Sequence, residues 1–414
     1  PSAPPGGTSA WEKARSILIK AALIIAGVVG GLIIGEIILR FLAPPPVNLL
    51  KMNRYFESER GKFARYDSTL GWTGKENVQD DFLWMDVSHR VRQNRYGCRG
   101  GEYPFGRTGK PRLLVLGDSY AWGFGVEEQQ LFTSLLERNR NRDVEVVNLG
   151  VSGYGTDQEY LLWKNKGHQW KPDQVLLLVT LWTDLWDNTI SRQYGYEKPV
   201  FEPNASGELV LKNTPVPREE RHWSHGDRSN TERRSAWFSD GIGHSAVAAA
   251  LVNFCVKSST IRKLLEEHGI IPIRQGGYGW EVQMYAPEGS DEMDKPWQVT
   301  FALIAKLAAE VKGQGGRLVV AVAPSPVQVY PELWRERLGG RELGNKALDP
   351  STPNKRLEAW CRQRGIQFID LLTPLQKAGR TTPYLYFPLN LHWTANGHQV
   401  VAEVLAQELS LFHP

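Results

Sequence analysis

Cysteine is scarce: Cys98, Cys255 and Cys361 are the three in 414 residues, far apart and with no CxxC pair. That argues against a disulfide framework or a cysteine-based zinc site, and the odd number leaves at least one thiol free. Charge of one sign is lacking too. Lys plus Arg number 49 against 45 Asp plus Glu, a formal +4 with no concentrated basic stripe, so nothing calls for a nucleic-acid partner. Glycine at 40 and proline at 25 are too few for a collagen-like chain, and 41% hydrophobic residues are too many for a disordered one. No internal repeat is visible, and no cofactor or metal is expected. What is left is room for one large domain or two ordinary ones plus an appendage, with enough apolar residues for a substantial core.

Only one hydrophobic run is long. Residues 16–42 read SILIKAALIIAGVVGGLIIGEIILRFL, enough at 1.5 Å per residue to cross a hydrocarbon layer of about 30 Å. A single transmembrane helix is expected there, behind a cytoplasmic tail at 1–15. The rival is a cleaved signal peptide, whose apolar region spans about 7–15 residues and ends in a small-residue cleavage site. Here Ala43 is followed by Pro44, Pro45 and Pro46, which hinder cleavage, and no cysteine offers a lipid attachment point. Lys13, Arg15 and Lys20 mark the amino end, whereas Glu36 and Arg40 at the other end, four residues apart, can pair with each other. The positive-inside rule then places the N-terminus in the cytoplasm and residues beyond about 43 outside it. Gly27, Gly31 and Gly35 share one helix face and would let the helix of a transmembrane partner approach closely; glycine is also simply common in membrane helices.

Beyond the anchor, residues 44–110 are rich in Gly, Arg, Asn and aromatics without sustained periodicity, as expected of a short-stranded extension packing on the main domain at 111–414. A rhythm begins at Arg112. RLLVLGDS (112–119), VEVVNLGVSG (144–153), DQVLLLVTLW (173–182), RLVVAVAPS (317–325) and GIQFIDLL (365–372) are apolar runs ending in turns, each read as a strand buried on both faces. Helical patterns alternate with them at 132–139, 156–167, 297–313, 354–364 and 397–411, with Trp297, Phe301, Ile304, Ala308 and Val311 forming one stripe. The expected fold class is α/β: a three-layer α/β/α sandwich around a five-stranded parallel sheet, with ligands at the carboxyl ends of the strands. Between about 189 and 295 the rhythm stops, and an insertion capping or flanking the site is expected. It contains a hairpin at 198–217, a charged loop at 218–234 and a helix at 246–265.

The GDS at 117–119 ends the first strand and precedes a glycine-containing turn. A Ser119 hydroxyl there has backbone N–H groups nearby to hold an oxyanion and needs only a base to become a nucleophile. The second strand ends in NLGVSGYG, which puts Gly153 where bare backbone can approach a ligand. Near the C-terminus, LNLHWTANGH supplies His392 on a loop beside the expected site, and His398 inside the last helix; His392 is the better base. GDS also occurs as a plain structural turn, and either histidine alone is more often structural.

Taken in order, EIILR near the anchor's end, LGW at 70–72, QNRYGCRGGEYP at 93–104, VLGDSYAWGFGV at 115–126, VVNLGVSGYGTDQEYLL at 146–162 and HWTANGH at 392–398 resemble the SGNH (GDSL) hydrolase family, in its membrane-anchored bacterial branch. The resemblance implies a serine that attacks an ester, usually an acyl group on a carbohydrate, or passes that group to another acceptor. It makes Ser119 the nucleophile, His392 the general base, and the Ser119 and Gly153 N–H groups oxyanion donors. It also implies cooperation with a membrane-bound O-acyltransferase.

Two positions depart from the family pattern. The third motif normally supplies an Asn side chain as a further oxyanion donor, and Thr183 stands in its place. The aspartate expected two or three residues before the histidine is replaced by Asn390 and Leu389. Asn390 can still fix the imidazole tautomer, as in Cys-His-Asn sites, but without charge. Asp184, Asp187 and Asp370 are candidate substitutes for the missing carboxylate, though local backbone hydrogen bonds are the commoner fate of such residues. Trp122, Trp182 and Trp186 are candidate linings of an acyl or sugar pocket, with Asp184 beside them, or else core residues. Two functions stay open: a membrane-anchored serine esterase or O-acyltransferase acting on acylated glycans, and a catalytically degenerate subunit of a larger membrane complex. Non-catalytic glycan binding in the cleft is a weaker third.

Overall fold

The computed structural model describes residues 10–41, 61–84, 87–138, 143–193, 196–218, 241–256, 258–268, 281–286, 291–339, 342–343, 346–388 and 390–412. Two compact units divide the chain: Pro1–Phe56 with Trp223–Ile273, and Glu57–His222 with Arg274–Pro414. The charged loop expected at 218–234 lies outside the described residues except for Arg218, and so does Leu389.

The labelled elements run in chain order. Helix α1 spans Ala10–Phe41, followed by strands β1 (Ala64–Asp67), β2 (Gly71–Gly74), β3 (Val78–Trp84) and β4 (Val87–Gln93). Next come β5 (Arg112–Gly117), α2 (Ser119–Trp122), α3 (Phe132–Glu137), β6 (Glu145–Asn148) and α4 (Thr156–Asn165). After these lie β7 (Gln174–Val179), α5 (Leu181–Asp187), β8 (Val200–Pro203), β9 (Leu209–Lys212), α6 (Ala246–Cys255) and α7 (Ser259–Glu267). The chain closes with α8 (Asp291–Gly313), β10 (Arg317–Val322), α9 (Thr352–Gln363), β11 (Gln367–Ile369) and α10 (Ala395–Glu408).

In the larger unit the five apolar runs form one parallel sheet in the order β11-β10-β7-β5-β6. Leu113 to Leu116, Val175 to Val179 and Val319 to Ala321 are completely buried, which is why these strands show no polar alternation. Helix α3 packs on α10, and α4 packs on α8; the two pairs cover the two faces as the crossover connections require. The chain leaves β5 toward β6 and leaves β7 toward β10. A crevice therefore opens between the carboxyl ends of β5 and β7, where ligands gather in open α/β sheets. The preceding segment forms two antiparallel hairpins, β1/β2 and β3/β4, whose Leu70 and Trp72 join the same hydrophobic core as the sheet. β8 and β9 make a third hairpin, closed by Asn204 Oδ1, which accepts from the N–H groups of Ser206 and Glu208.

In the smaller unit, residues Ala14–Phe41 of α1 form a helix long and apolar enough to cross a membrane, with mean hydropathy 2.6. Glu36 and Arg40 pair at 2.6 Å. The single helix expected at 246–265 is instead two, α6 and α7. The break follows from serine chemistry: Ser258 turns back to the Cys255 carbonyl, and its hydroxyl accepts from Ile261 N–H at the start of α7. Of the glycine stripe, Gly35 faces a methyl of Val247 in α6 at 3.5 Å from where a β-carbon would sit, while Gly27 and Gly31 face open space among the described residues. At least one position of that face therefore meets this chain's own helix.

Candidate active site

Strand β5 delivers Ser119 through a stop that its own residues build. Asp118 caps α2 by accepting from Tyr120 N–H at 2.9 Å, so the helix begins on the serine and turns its hydroxyl outward. Burial pushes the Asp118 carboxyl up to about 6. Fully buried Arg99 secures the turn after α2, donating to the carbonyls of Trp122 at 3.1 Å, Gly123 at 2.6 Å and Val126 at 2.8 Å. From the other side the β6 loop closes in. A β-carbon on Gly150 would stand 2.4 Å from Trp122 N, so only glycine lets this loop lie on α2. Asn148 ties the two together, donating to the Ala121 carbonyl at 2.8 Å and accepting from Gly150 N–H at 2.9 Å.

His392 arrives on a turn closed by two backbone bonds between Phe387 and the residues Leu391 and His392. Its Nε2 lies 2.7 Å from Ser119 Oγ, and its Nδ1 lies 3.1 Å from Asn390 Oδ1. The same Asn390 oxygen accepts from His392 N–H at 2.9 Å, so one side chain fixes both the backbone and the ring. An oxygen facing Nδ1 is an acceptor only, so the proton sits on Nδ1 and the Nε2 lone pair faces the serine. Leu391 between them holds a φ of +68°, left-handed backbone that costs a branched residue free energy. Tyr120 meets part of that cost by donating its hydroxyl to the Leu391 carbonyl at 2.8 Å. The imidazole stacks on Phe124 with centroids 4.3 Å apart. Burial pushes its pKa down to about 3. The ring is therefore a neutral base at pH 7.

The other residues singled out by sequence fall into two groups. Gly153, with φ +78°, lies on the loop after β6. Thr183 lies in α5, beyond the end of β7, and its hydroxyl donates to the Thr180 carbonyl at 3.1 Å. Asp184 does not reach the histidine: completely buried, it accepts from Thr180 N–H at 3.0 Å and from the Thr156 hydroxyl at 3.3 Å. Burial and the nearby Asp118 charge raise its pKa well above the carboxylate range. Asp187 accepts from Gln193 at 2.7 Å, and Asp370 caps the short helix Leu372–Ala378. Neither replaces the missing carboxylate.

Trp122 packs among Phe63, Phe82 and Phe124 beneath the Arg99 guanidinium, and Trp182 belongs to the hydrophobic core. His398 is buried, accepts from Phe132 N–H through Nδ1 at 3.3 Å and stacks on that ring. No cluster of three metal-ligating side chains occurs among the described residues. Sequence reading assigned no role to Arg99, Asp118, Tyr120, Phe124 or Asn148. Arg99 lay inside the quoted QNRYGCRGGEYP segment, and Asp118 inside GDS.

The family model described as "SGNH hydrolase-like domain, acetyltransferase AlgX" matches residues 274–413, the stretch that carries Asn390 and His392. Among curated proteins, "Probable alginate O-acetylase AlgJ" of Pseudomonas fluorescens is 28% identical over 119 residues, covering 28% of this chain and 28% of its own. The protein of the same name from Pseudomonas putida is 30% identical over 129 residues, covering 29% and 31%. The chain thus spans less than a third of the length of these curated relatives. A solved structure of a catalytic mutant of an acetylxylan esterase from Geobacillus stearothermophilus superposes with a TM-score of 0.35 at 12% identity, covering 72% of this chain and 93% of that one. Residues 274–413, about a third of the chain, thus match an SGNH hydrolase-like domain.

Proposed function

We propose that this protein is a membrane-anchored serine O-acyltransferase or esterase whose substrate is an O-acetylated glycan outside the cytoplasmic membrane. The observation that carries this reading is the 2.7 Å approach of His392 Nε2 to Ser119 Oγ, with Asn390 behind the ring. A neutral imidazole takes the serine proton as Oγ attacks an ester carbonyl. The tetrahedral oxyanion is held by the N–H groups of Ser119 and Gly153. Collapse expels the donor alcohol, which receives the proton from His392 and leaves an acetyl-serine. A glycan hydroxyl or water, deprotonated by the same imidazole, then attacks the acetyl carbonyl and regenerates Ser119. The similarity to alginate O-acetylases supports acetyl as the group and a polysaccharide as its carrier.

The apolar helix Ala14–Phe41 serves as the anchor, with basic Lys13, Arg15 and Lys20 on the cytoplasmic side. Gly27 and Gly31 are where a transmembrane partner, such as a membrane-bound acyltransferase supplying acetyl groups, would pack. A fluorophosphonate probe should label Ser119, and Ser119→Ala should abolish both labelling and acetyl transfer from p-nitrophenyl acetate to an oligosaccharide. Folded protein that neither labels nor turns over acetyl esters overturns the reading. That result would favour the second one, a degenerate accessory subunit, which Thr183 and Asn390 motivate.

A further inference from the structure

Glu36 lies five residues before the end of the apolar helix at Phe41, about 8 Å inside it at 1.5 Å per residue. A carboxylate at that depth is costly unless its oxygens are satisfied. They are: Arg40 donates at 2.6 Å, the Ser245 hydroxyl at 2.8 Å, and the N–H groups of Ala246 and Val247 at 2.9 Å and 3.0 Å. Whatever bonds Glu36 must share its depth, and that is the amino end of α6.

This end is built to do without water. Of the four N–H groups that open a helix, Ser245 N–H donates to the Ile242 carbonyl, Ala246 and Val247 to Glu36, and Ala248 to the Ser245 hydroxyl. Arg40 also takes the His244 carbonyl at 2.8 Å. Complete internal satisfaction is what a hydrocarbon environment demands and an aqueous one does not. Helix α6 itself, AVAAALVNFC, has no charged residue, yet its Leu251 and Phe254 are exposed, Phe254 by 70%, as is Ile242 in the turn before it. Ile261 and Leu264, one turn apart on α7, are exposed as well.

We infer that α6 and α7 form a second membrane-seated element: α6 enters the lipid interface beside α1, held there by Glu36, and the partner of Ile242 and Leu251 is the acyl-chain surface of the bilayer. The exposed apolar face then continues the lipid-facing surface of α1, in the manner of an interfacial helix buried about 5–10 Å deep. This inference rests on reading α1 as a bilayer span, and the test separates the two.

The full chain carrying Cys255→Ser is reconstituted in phosphatidylcholine–phosphatidylglycerol vesicles. An NBD fluorophore is placed at Leu251→Cys or, as a reference within the span, at Ile24→Cys. Quenching by doxyl-labelled lipid is compared with quenching by aqueous iodide. Both labels should be quenched by lipid several-fold more than by iodide. Adding Glu36→Ala should lower lipid quenching at position 251 and leave position 24 unchanged. Iodide quenching at 251 with lipid quenching at 24 overturns the inference alone. Shielding of 251 from both quenchers means that a protein covers the face, and overturns it too. Iodide quenching at both sites removes the span itself and the inference with it.

Discussion

The ends of β5 and β7 border the same crevice and spend their polar groups in opposite ways. After β5, Ser119 is aimed outward at His392, and Asp118, Arg99 and Asn148 all serve to keep it there. After β7, Thr180, Thr183 and Asp184 bond to one another, so the Thr183 hydroxyl is spent on the local backbone. Ser119 and His392 stand within hydrogen-bond distance of each other, while the side chain behind the imidazole is an uncharged Asn390. Under the proposed function, such a site depends on an activated ester or a well-placed acceptor more than one with a charged carboxylate behind its imidazole does.

Breaking the β5 side has the largest expected effect. Ser119→Ala or His392→Ala should each lower acetyl-ester turnover by about 10³-fold or more, and the double variant should be little worse than either, because the two act as a unit. Additive losses measured by burst kinetics would mean that the pair does not work together. Next in size is Asn390→Asp. A carboxylate at 3.1 Å from Nδ1 stabilises the imidazolium that forms in the transition state, so turnover should rise by roughly 10²-fold. The sign for pH follows: the added charge raises the His392 pKa from about 3, so the acid limb of kcat/KM moves to higher pH. A drop in turnover without that shift would show that Asn390 is not behind the working imidazole. Thr183→Asn should sharpen the contrast from the β7 side. An amide at that place restores a donor and should raise kcat about 10-fold with KM unchanged, below the usual worth of an optimised donor because the neighbouring side chains are already bonded among themselves. A change confined to KM would assign the position to substrate binding.

How much of this was legible in sequence differs between the same two edges. The sheet, and the serine and histidine at its rim, were legible because runs such as RLLVLG and QVLLLV are buried on both faces and leave an unbroken apolar signature. The inward turn of Thr183 was not, since it depends on a rotamer set by the Thr180 carbonyl. Arg99 gave no signal because its partners are backbone carbonyls. The 246–265 segment read as one helix because apolar content continues across the break, and only the Ser258 cap divides it. The bond between Glu36 and α6 joins residues 209 to 211 apart in sequence, which no local pattern encodes. That Trp122 and Trp182 are buried was not legible either, because aromatic residues suit both pockets and cores.

The smallest expected effect concerns the two histidines of HWTANGH, one working and one structural. Burial holds His398 at a pKa of about 3, with its Nδ1 accepting from Phe132 N–H, so the ring must stay neutral for the fold to keep that bond. In the unfolded chain the same ring titrates near 6.5. As pH falls below 6.5 the unfolded state takes up a proton that the folded state refuses, and stability is lost progressively until the folded pKa is reached. Between about pH 6.5 and about pH 5 this amounts to about 2 kcal/mol. His398→Gln removes the titration while costing packing against Phe132. The variant should therefore be the less stable protein at about pH 7.5, and its deficit in urea melts should shrink by about 2 kcal/mol by about pH 5. Stability curves that run parallel over that range would mean that His398 is protonated in the fold, and that the last helix is held by a different bond from the one to Phe132.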